Sequence, residues 1–142
     1  MKHFENKFIK HDPEKLFNLV CDVQKYPEFL PWCLGSRVKK LNENNFDADL
    51  IVGFKIYREV FKSKVILDRE KLKINVQYID GPLKHLNNHW HFKKSKNGCE
   101  VFFLVDLKFN TKILNKVLDT FFREATQKMV MAFENRAKTL YG

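Results

Sequence analysis

The last thirty residues of this 142-residue chain carry one broad apolar stripe with the 3.6-residue period of an α-helix. A helix from about 112 to 140 would be about 40 Å long. Such a helix cannot stand alone in water with its stripe exposed, so we expect it to pack on a sheet formed by the preceding residues. The stripe consists of Leu114, Val117, Leu118, Phe121, Phe122, Ala125, Met129, Ala132, Phe133, Ala137 and Leu140.

Between residues 36 and 110 the apolar side chains recur with a period of two, which is typical of strands. The alternation is clearest over residues 71–78, and strand-like runs also cover 46–56, 58–68 and 101–109. Trp90 and Phe92 share one face of a further strand. Asp80-Gly81-Pro82 and Asn97-Gly98 have the composition of turns. We therefore predict a run of about six consecutive strands.

The N-terminal part predicts a strand over residues 3–10 and then a helix that begins at Asp12-Pro13-Glu14. Asp12 supplies an N-cap acceptor, Pro13 suits the first helical position, and Glu14 is acidic in the first turn. Leu16, Leu19, Val20 and Val23 share one face of this helix, which should end before Pro27. Strands and helices that are segregated along the chain indicate an α+β fold, here as a single domain over residues 1–142.

Residues 26–33 read Tyr-Pro-Glu-Phe-Leu-Pro-Trp-Cys and combine two prolines with four large apolar side chains. The prolines exclude a continuous helix or a central strand, so we expect a second short turn or helix. A stiff segment with this much apolar bulk packs either into the core or against a bound apolar molecule.

The net charge of +9 predicts attraction to anionic partners, either ribosomal RNA or a membrane surface. Most of the excess is lysine, which also suits solvated surface positions. The three cysteines, Cys21, Cys33 and Cys99, lack metal-binding spacing and indicate reduced thiols in the cytoplasm. Neither a signal peptide nor a membrane span is expected from the sequence.

No catalytic motif is evident: a glycine-rich phosphate loop, a Gly-x-Ser-x-Gly elbow and a His-Glu-x-x-His pair are all missing. Asp47 and Asp49 share a strand face, but exposed acids on a basic protein favour a solvation role. His89 and His91 also share a face, yet a closed metal site needs about four ligands, so we predict no metal. Lys84 or His85 beside the Gly81-Pro82 turn would contact a ligand head group or remain in a solvated loop.

The chain resembles the coenzyme Q-binding proteins and the bacterial ribosome-association toxins, sister groups of the START-like, helix-grip superfamily that includes polyketide cyclases and dehydrases. Four blocks carry the resemblance: residues 26–33, Tyr78 with Asp80-Gly81-Pro82 and Leu86, Trp90 with Phe92, and residues 132–142 (Ala132-Phe133-Glu134, Arg136-Ala137 and Leu140-Tyr141-Gly142). Departures are Leu83 where Phe is frequent, His91 where Arg is common, and Thr111 where Pro often follows Asn110.

This resemblance implies a helix-grip fold, in which a curved antiparallel sheet of six to seven strands wraps around the long C-terminal helix and two short helices follow the first strand. It also implies an apolar tunnel between sheet and helix that holds ubiquinone or a similar polyisoprenyl lipid. Ubiquinone would be a bound ligand and no catalytic cofactor is expected. The residues expected to line the tunnel or its gate are Tyr26, Phe29, Leu30, Trp32, Trp90, Phe121, Phe122, Ala125, Met129 and Phe133.

Two functions follow from the resemblance. The favoured one is a non-catalytic quinone carrier that supports respiratory electron transport, cytoplasmic and peripheral at the inner membrane face. The alternative is a toxin that binds the large ribosomal subunit and inhibits translation initiation. The first function uses the inside of the domain and the second the outside.

Overall fold

The computed structural model describes residues 1–54 and 56–142, except for the side chain of Phe54. Within these residues, ten elements follow one another along the chain. They are β1 (Lys2–Ile9), α1 (Pro13–Cys21), a 3₁₀ helix (Val23–Glu28), β2 (Cys33–Asn42), β3 (Asn45–Phe54), β4 (Tyr57–Asp68), β5 (Lys73–Asp80), β6 (Leu83–Ser95), β7 (Gly98–Phe109) and α2 (Lys112–Tyr141).

The strands form one curved antiparallel sheet in the order β1-β7-β6-β5-β4-β3-β2. Each strand from β2 to β6 pairs with the next strand along the chain, and β1 adds to the free side of β7. Register shifts interrupt β2 against β3, β4 against β5, and β6 against β7. Such bulges bend a strand and increase its twist, which favours a concave inner face. This confirms the predicted α+β, helix-grip architecture.

The beginning of α1 is as predicted. Asp12 is the N-cap and accepts a hydrogen bond from the Glu14 backbone N–H, and Pro13 occupies the first turn. The predicted face, Leu16, Leu19, Val20 and Val23, is buried. Phe17 was missed by this pattern, although its side chain is among the most completely buried in the described chain.

Two strand predictions need correction. The expected strand over 71–78 begins only at Lys73, because Leu72 adopts a left-handed backbone with φ of 55° and belongs to the preceding turn. The predicted run 46–56 ends at Phe54 in β3, and Lys55 within that run lies outside the described residues. The Asn97-Gly98 turn joins β6 to β7 as predicted, with Asn97 at a φ of 64°.

Helix α2 lies across the inner face of the sheet, and side-chain hydrogen bonds fix its start. Thr111 caps the helix by accepting from the Leu114 N–H, and the Asn115 side chain bonds both the N–H and the carbonyl of Phe109. The apolar stripe is only partly buried. Leu140 is exposed, whereas Thr126 and Val130, which the stripe did not include, are buried against the core.

No helix in the described part of the chain is both long and apolar enough to cross a bilayer. The outer face of the sheet points away from both helices. Residues on β1 alternate accordingly, with Phe4 and Phe8 exposed on the outer face and Ile9 buried on the inner one.

Candidate functional site

A cavity of about 460 Å³, here called the outer cavity, lies between the first half of α2 and the strands β3, β4 and β7. Its lining is mainly aliphatic and aromatic, which suits an apolar ligand. The described lining residues are Trp32, Val52, Tyr57, Glu59, Phe61, Phe109, Leu114, Val117, Leu118, Phe121, Glu124, Ala125 and Lys128.

A second cavity of about 160 Å³, here called the inner cavity, lies deeper along α2. It is bounded by α1 and the 3₁₀ helix on one side and by the middle of the sheet on the other. Its described lining is Val20, Val23, Tyr26, Leu30, Ala48, Leu50, Phe61, Ser63, Val65, Ile74, Val76, Tyr78, Leu86, Asn88, Trp90, Phe103, Met129 and Phe133. Most of these side chains are apolar, and Ser63, Tyr78 and Asn88 contribute polar atoms.

The two cavities adjoin at Phe61 of β4, which lines both. The Phe61 ring packs edge-on against Phe109, with centroids 6.4 Å apart. Along α2, the lining passes from Ala125 in the outer cavity to Met129 in the inner one, which is one helical turn further on. The two cavities are therefore neighbouring spaces along α2 that share Phe61 in their lining.

An aromatic cluster fixes the wall of the inner cavity. Phe133 of α2 makes edge contacts with Tyr26, Phe29 and Trp90, each at a centroid distance of 5.3 Å. Trp90 in turn lies 4.5 Å from Phe103 on the neighbouring strand. The cluster thus joins the aromatic–proline segment, the C-terminal helix and the sheet, and offset or edge-on pairs of this kind add stability beyond their buried area.

Tyr26 is held at its polar end as well as its ring. Its hydroxyl donates to the Val20 carbonyl, and burial raises the pKa of the phenol far above its ordinary value. A buried phenol that stays neutral and hydrogen-bonded costs little to bury. The aromatic–proline segment is therefore anchored in the core at its first residue.

The structure brings eight of the ten residues expected at a ligand site to the cavities. Trp32, Phe121 and Ala125 line the outer cavity, and Tyr26, Leu30, Trp90, Met129 and Phe133 line the inner one. It does not bring Phe29 or Phe122 to either space. Phe122 is buried in the core, and Phe29 packs on Tyr26 and Phe133 with the Arg136 guanidinium 5.2 Å from its ring centre.

Trp32 reaches the outer cavity from an unusual backbone conformation. Its φ is 65°, a left-handed value that is rare for a bulky residue and is retained only where surrounding contacts impose it. The Trp32 carbonyl accepts from the Gly53 N–H at 2.9 Å, which ties this position to β3. The segment after Pro31 is thus bent so that the indole turns towards the space beside α2.

Sequence reasoning missed most of the sheet side of both cavities. Phe61, Ser63, Tyr78 and Asn88 all lie on inward-facing positions of β4, β5 and β6. The period of two was a usable signal for Phe61 and Ser63. It could not show that these residues face empty space, because that depends on the separation of the sheet from α2.

In the described lining of the two cavities, charged side chains are found at the outer cavity and not at the inner one. Glu59, Glu124 and Lys128 line it, and Lys128 pairs with Glu124 at 3.1 Å with both side chains exposed. This arrangement places charged side chains near solvent, whereas the described lining of the inner cavity is apolar or uncharged polar.

The histidines on β6 lie away from the cavities. His89 and His91 project from the outer face of the sheet, and His85 contacts Asp106 at 3.4 Å. Among the residues that the structure describes, no cluster of three or more His, Cys, Asp or Glu side chains could hold a metal. Lys84 and His85 are exposed and line neither cavity.

The sequence profile of the family described as polyketide cyclase / dehydrase and lipid transport matches residues 9–134. The chain belongs to this family. A START superfamily protein from Mycobacterium smegmatis, 14% identical, superimposes with a TM-score of 0.83 over 98% of each chain. This likeness shows that the family member described here has the START-like fold.

The sequences of two relatives align with nearly all of this chain. The ribosome association toxin RatA of Rickettsia prowazekii is 36% identical over 135 residues, which are 93% of this chain and 92% of the toxin. The mitochondrial coenzyme Q-binding protein COQ10 homolog B of Xenopus laevis is 30% identical over 147 aligned positions, covering the whole of this chain and 60% of that protein. The predicted family resemblance is thereby confirmed.

Proposed function

We propose that this protein binds a polyisoprenyl lipid, ubiquinone in particular, in the outer and inner cavities and carries it without chemical change. The observation that carries this proposal is the apolar outer cavity of about 460 Å³ and its junction with the inner cavity at Phe61. The volume lies within the range of small-molecule sites. The relative named as a coenzyme Q-binding protein supports the choice of quinone.

The energetics favour a long apolar tail. Each buried CH₂ group gains about 0.8 kcal/mol, so one five-carbon isoprene unit contributes about 4 kcal/mol before the costs of immobilising it. A carrier role needs this shielding and no reacting group. The family also includes cyclases, so the non-catalytic assignment needs its own support. We base it on the inner cavity, where the Ser63 hydroxyl, the Tyr78 phenol and the Asn88 amide are suited to hold a ligand by hydrogen bonds.

We place this activity in the cytoplasm, with peripheral contact at the inner face of the membrane. The net charge of +9 would draw the protein to anionic lipid, where a quinone can be taken up or released.

Tryptophan fluorescence tests the proposal directly, because Trp32 lines the outer cavity and Trp90 the inner one. Lipid-free protein would be titrated with a ubiquinone analogue that carries a ten-carbon tail, since quinones quench nearby indoles. We expect quenching that saturates at one equivalent of quinone. It should be seen in both Trp32→Phe and Trp90→Phe, because each variant keeps one of the two tryptophans. Quenching that does not saturate, and that free tryptophan reproduces, would reject a bound quinone.

A second candidate function, association with the large ribosomal subunit, is favoured by the outer face of the sheet. Phe4 and Phe8 of β1 are 59% and 50% exposed, and Phe102 of β7 lies opposite Asn6 between them. His91 stacks on Phe102, with ring centroids 5.8 Å apart. Exposed rings on a sheet are the platform on which single-stranded RNA bases stack in several RNA-binding folds.

Lys73 and Lys93 lie near His91, whereas Glu100 of β7 lies opposite Phe8. Burial, and to a lesser extent the positive charges of Lys73 and Lys93, lowers the pKa of His91. Lysines beside exposed rings suit an RNA backbone, and the relative named as a ribosome association toxin supports this partner. Because this surface is the outside of the sheet, it does not compete with a lipid in the cavities.

Co-sedimentation with purified large subunits at 50 and 200 mM salt tests this candidate. We expect binding that falls steeply with salt and is lost in the double variant Phe4→Ser, Phe8→Ser. Ile113→Ser, which removes an exposed apolar side chain from α2, is the matched control. Failure of the wild type to sediment with the subunit at low salt would reject the candidate.

A further inference from the structure

The inner cavity contains a short strip of polar side chains on three adjacent strands. Ser63 of β4 lies directly opposite Tyr78 of β5, and Asn88 of β6 lies opposite Val76, two residues from Tyr78. Directly opposed residues have Cβ atoms about 5 Å apart, and diagonal neighbours about 7–8 Å. All three side chains line the inner cavity.

The hydrogen bonds of these groups are only partly used within the protein. Asn88 Nδ2 donates to the Leu104 carbonyl at 2.9 Å, and the Tyr78 hydroxyl oxygen accepts from the Leu83 N–H at 2.9 Å. Among the described residues, no partner accepts the Tyr78 hydroxyl proton, bonds Ser63 Oγ or donates to Asn88 Oδ1.

Ser63 gives the strongest indication of a ligand among the three residues of the strip. It is only 8% exposed, and its hydroxyl makes no hydrogen bond within the described chain. The Ser63 oxygen is not among the fully enclosed unpaired polar atoms of the described chain, so it is open to the cavity, where a ligand or water can bond it. The register shift between Lys62 and Ser63 lies immediately before it. Bulges of this kind redirect side chains next to functional sites.

We propose that Ser63, Tyr78 and Asn88 form the head-group site of the bound lipid. An oxygen-bearing ring enters the inner cavity and meets the strip, while its tail extends past Phe61 into the outer cavity. This inference rests on the proposed lipid-binding function and adds its orientation and its specificity.

The chemistry of the strip selects the ligand class. The Ser63 and Tyr78 hydroxyls donate to carbonyl or ether oxygens, and Asn88 Oδ1 accepts from a hydroxyl. A quinone ring offers carbonyl and ether acceptors, and its reduced form adds hydroxyl donors. The inner cavity of about 160 Å³ is close in size to a ~150 Å³ cavity that is known to bind benzene, so it fits one six-membered ring rather than a long tail.

The test compares two probes of similar shape. One is a ubiquinone analogue with a ten-carbon tail, and the other is decylbenzene, which has a ring and the same tail but no oxygen. Displacement of a fluorescent naphthylamine probe reports the affinity of both. We expect wild-type protein to bind the quinone at least about tenfold more tightly than decylbenzene, as unpaired polar groups in the site require.

Two variants remove members of the strip. Ser63→Ala and Asn88→Leu should each weaken quinone binding by about three- to tenfold and leave decylbenzene binding unchanged, the size expected for one buried hydrogen bond. Thr126→Val is the matched control, because its buried hydroxyl bonds the Phe122 and Arg123 carbonyls of its own helix and lines neither cavity. If Asn88→Leu does not fold, Ser63→Ala alone decides the test.

Each outcome has a distinct meaning. Loss of quinone affinity in the strip variants, with Thr126→Val unaffected, supports the head-group site. Equal wild-type affinity for the two probes, or quinone affinity unchanged by Ser63→Ala, overturns the head-group site and leaves lipid binding in place. Binding of neither probe by folded wild-type protein overturns the proposed function itself.

Discussion

Arg136 of α2 donates a hydrogen bond to the Glu28 carboxylate at 3.0 Å, across 108 positions of sequence. The same guanidinium lies 5.2 Å from the centre of the Phe29 ring. One side chain therefore clamps the aromatic–proline segment onto the C-terminal helix. The segment that supplies Tyr26 and Leu30 to the inner cavity is held in place from outside the cavity.

We predict that Arg136→Met lowers the free energy of unfolding by about 1–2 kcal/mol. Methionine retains the aliphatic part of the arginine side chain. It loses the charged hydrogen bond to Glu28 and the cation–π contact with Phe29, at a site where the Arg136 side chain is only 20% exposed. Urea denaturation measures the change. Lys128→Met is the control, since both partners of its pair with Glu124 are exposed and its loss should cost under about 0.5 kcal/mol. Equal losses in the two variants would contradict the clamp.

We predict that the raised pKa values of Cys21 and Cys99 lower the free energy of unfolding at alkaline pH. Burial raises the pKa of the Cys21 thiol from 9.0 to about 12, and burial raises that of Cys99 to about 11. The folded protein therefore keeps protons that the unfolded chain releases above pH 9. Stability from these thiols is complete below pH 9 and is lost progressively as the pH rises towards 11–12.

Urea denaturation at pH 7.5, 9 and 10.5 should show this decline, and Cys21→Ala should make it shallower. A free energy of unfolding in the wild type that is the same at pH 7.5 and 10.5 would show that the thiols ionise freely in the folded state.

Much of the fold could be predicted because local signals agree with the tertiary structure. Asp12-Pro13-Glu14 fixes the start of α1, and Asn97-Gly98 fixes the β6–β7 hairpin. The buried face of α2 was predicted less well, because only tertiary packing decides which side of a broad stripe meets the sheet. Thr126 is buried there, with its hydroxyl bonded to the carbonyls of its own helix, whereas the apolar Leu140 is exposed.

The candidate site could be predicted on its helical side and only poorly on its sheet side. Apolar spacing pointed to Ala125 and Met129, and both line cavities. The same reasoning included Phe122, which faces the packed core. The strand period could place Ser63 on an inward face, but it could not show that Ser63, Tyr78 and Asn88 line one cavity, because that depends on how the strands pair.

Gly81 should tolerate substitution poorly. Its φ is 144°, and a Cβ atom there would lie 2.8 Å from the Val60 carbonyl and 2.9 Å from the Tyr78 hydroxyl. We expect Gly81→Ala to cost about 1–3 kcal/mol and to weaken quinone binding by shifting Tyr78. Differential scanning calorimetry and the quinone titration measure the two effects.

The control for this position is Gly53→Ala, whose added Cβ would have the exposed side chain of Leu34 as its nearest described neighbour. Because Leu34 can rotate away, the expected change in stability is within about 0.5 kcal/mol. A Gly81→Ala protein as stable as Gly53→Ala would mean that the turn beside the polar strip is not conformationally restricted.

Mass spectrometry of an organic extract tests the central claim, that the cavities hold a polyisoprenyl quinone. Wild-type protein, Ala125→Trp and Met131→Trp would be purified from a quinone-making host. Ala125 lines the outer cavity, so tryptophan should fill that space, whereas Met131 is 53% exposed and its replacement leaves the cavity open.

We predict near-stoichiometric quinone in the wild type and in Met131→Trp, and a loss of at least about tenfold in Ala125→Trp. Extracts of folded wild-type protein that contain no quinone, even after incubation with added quinone, would contradict the account.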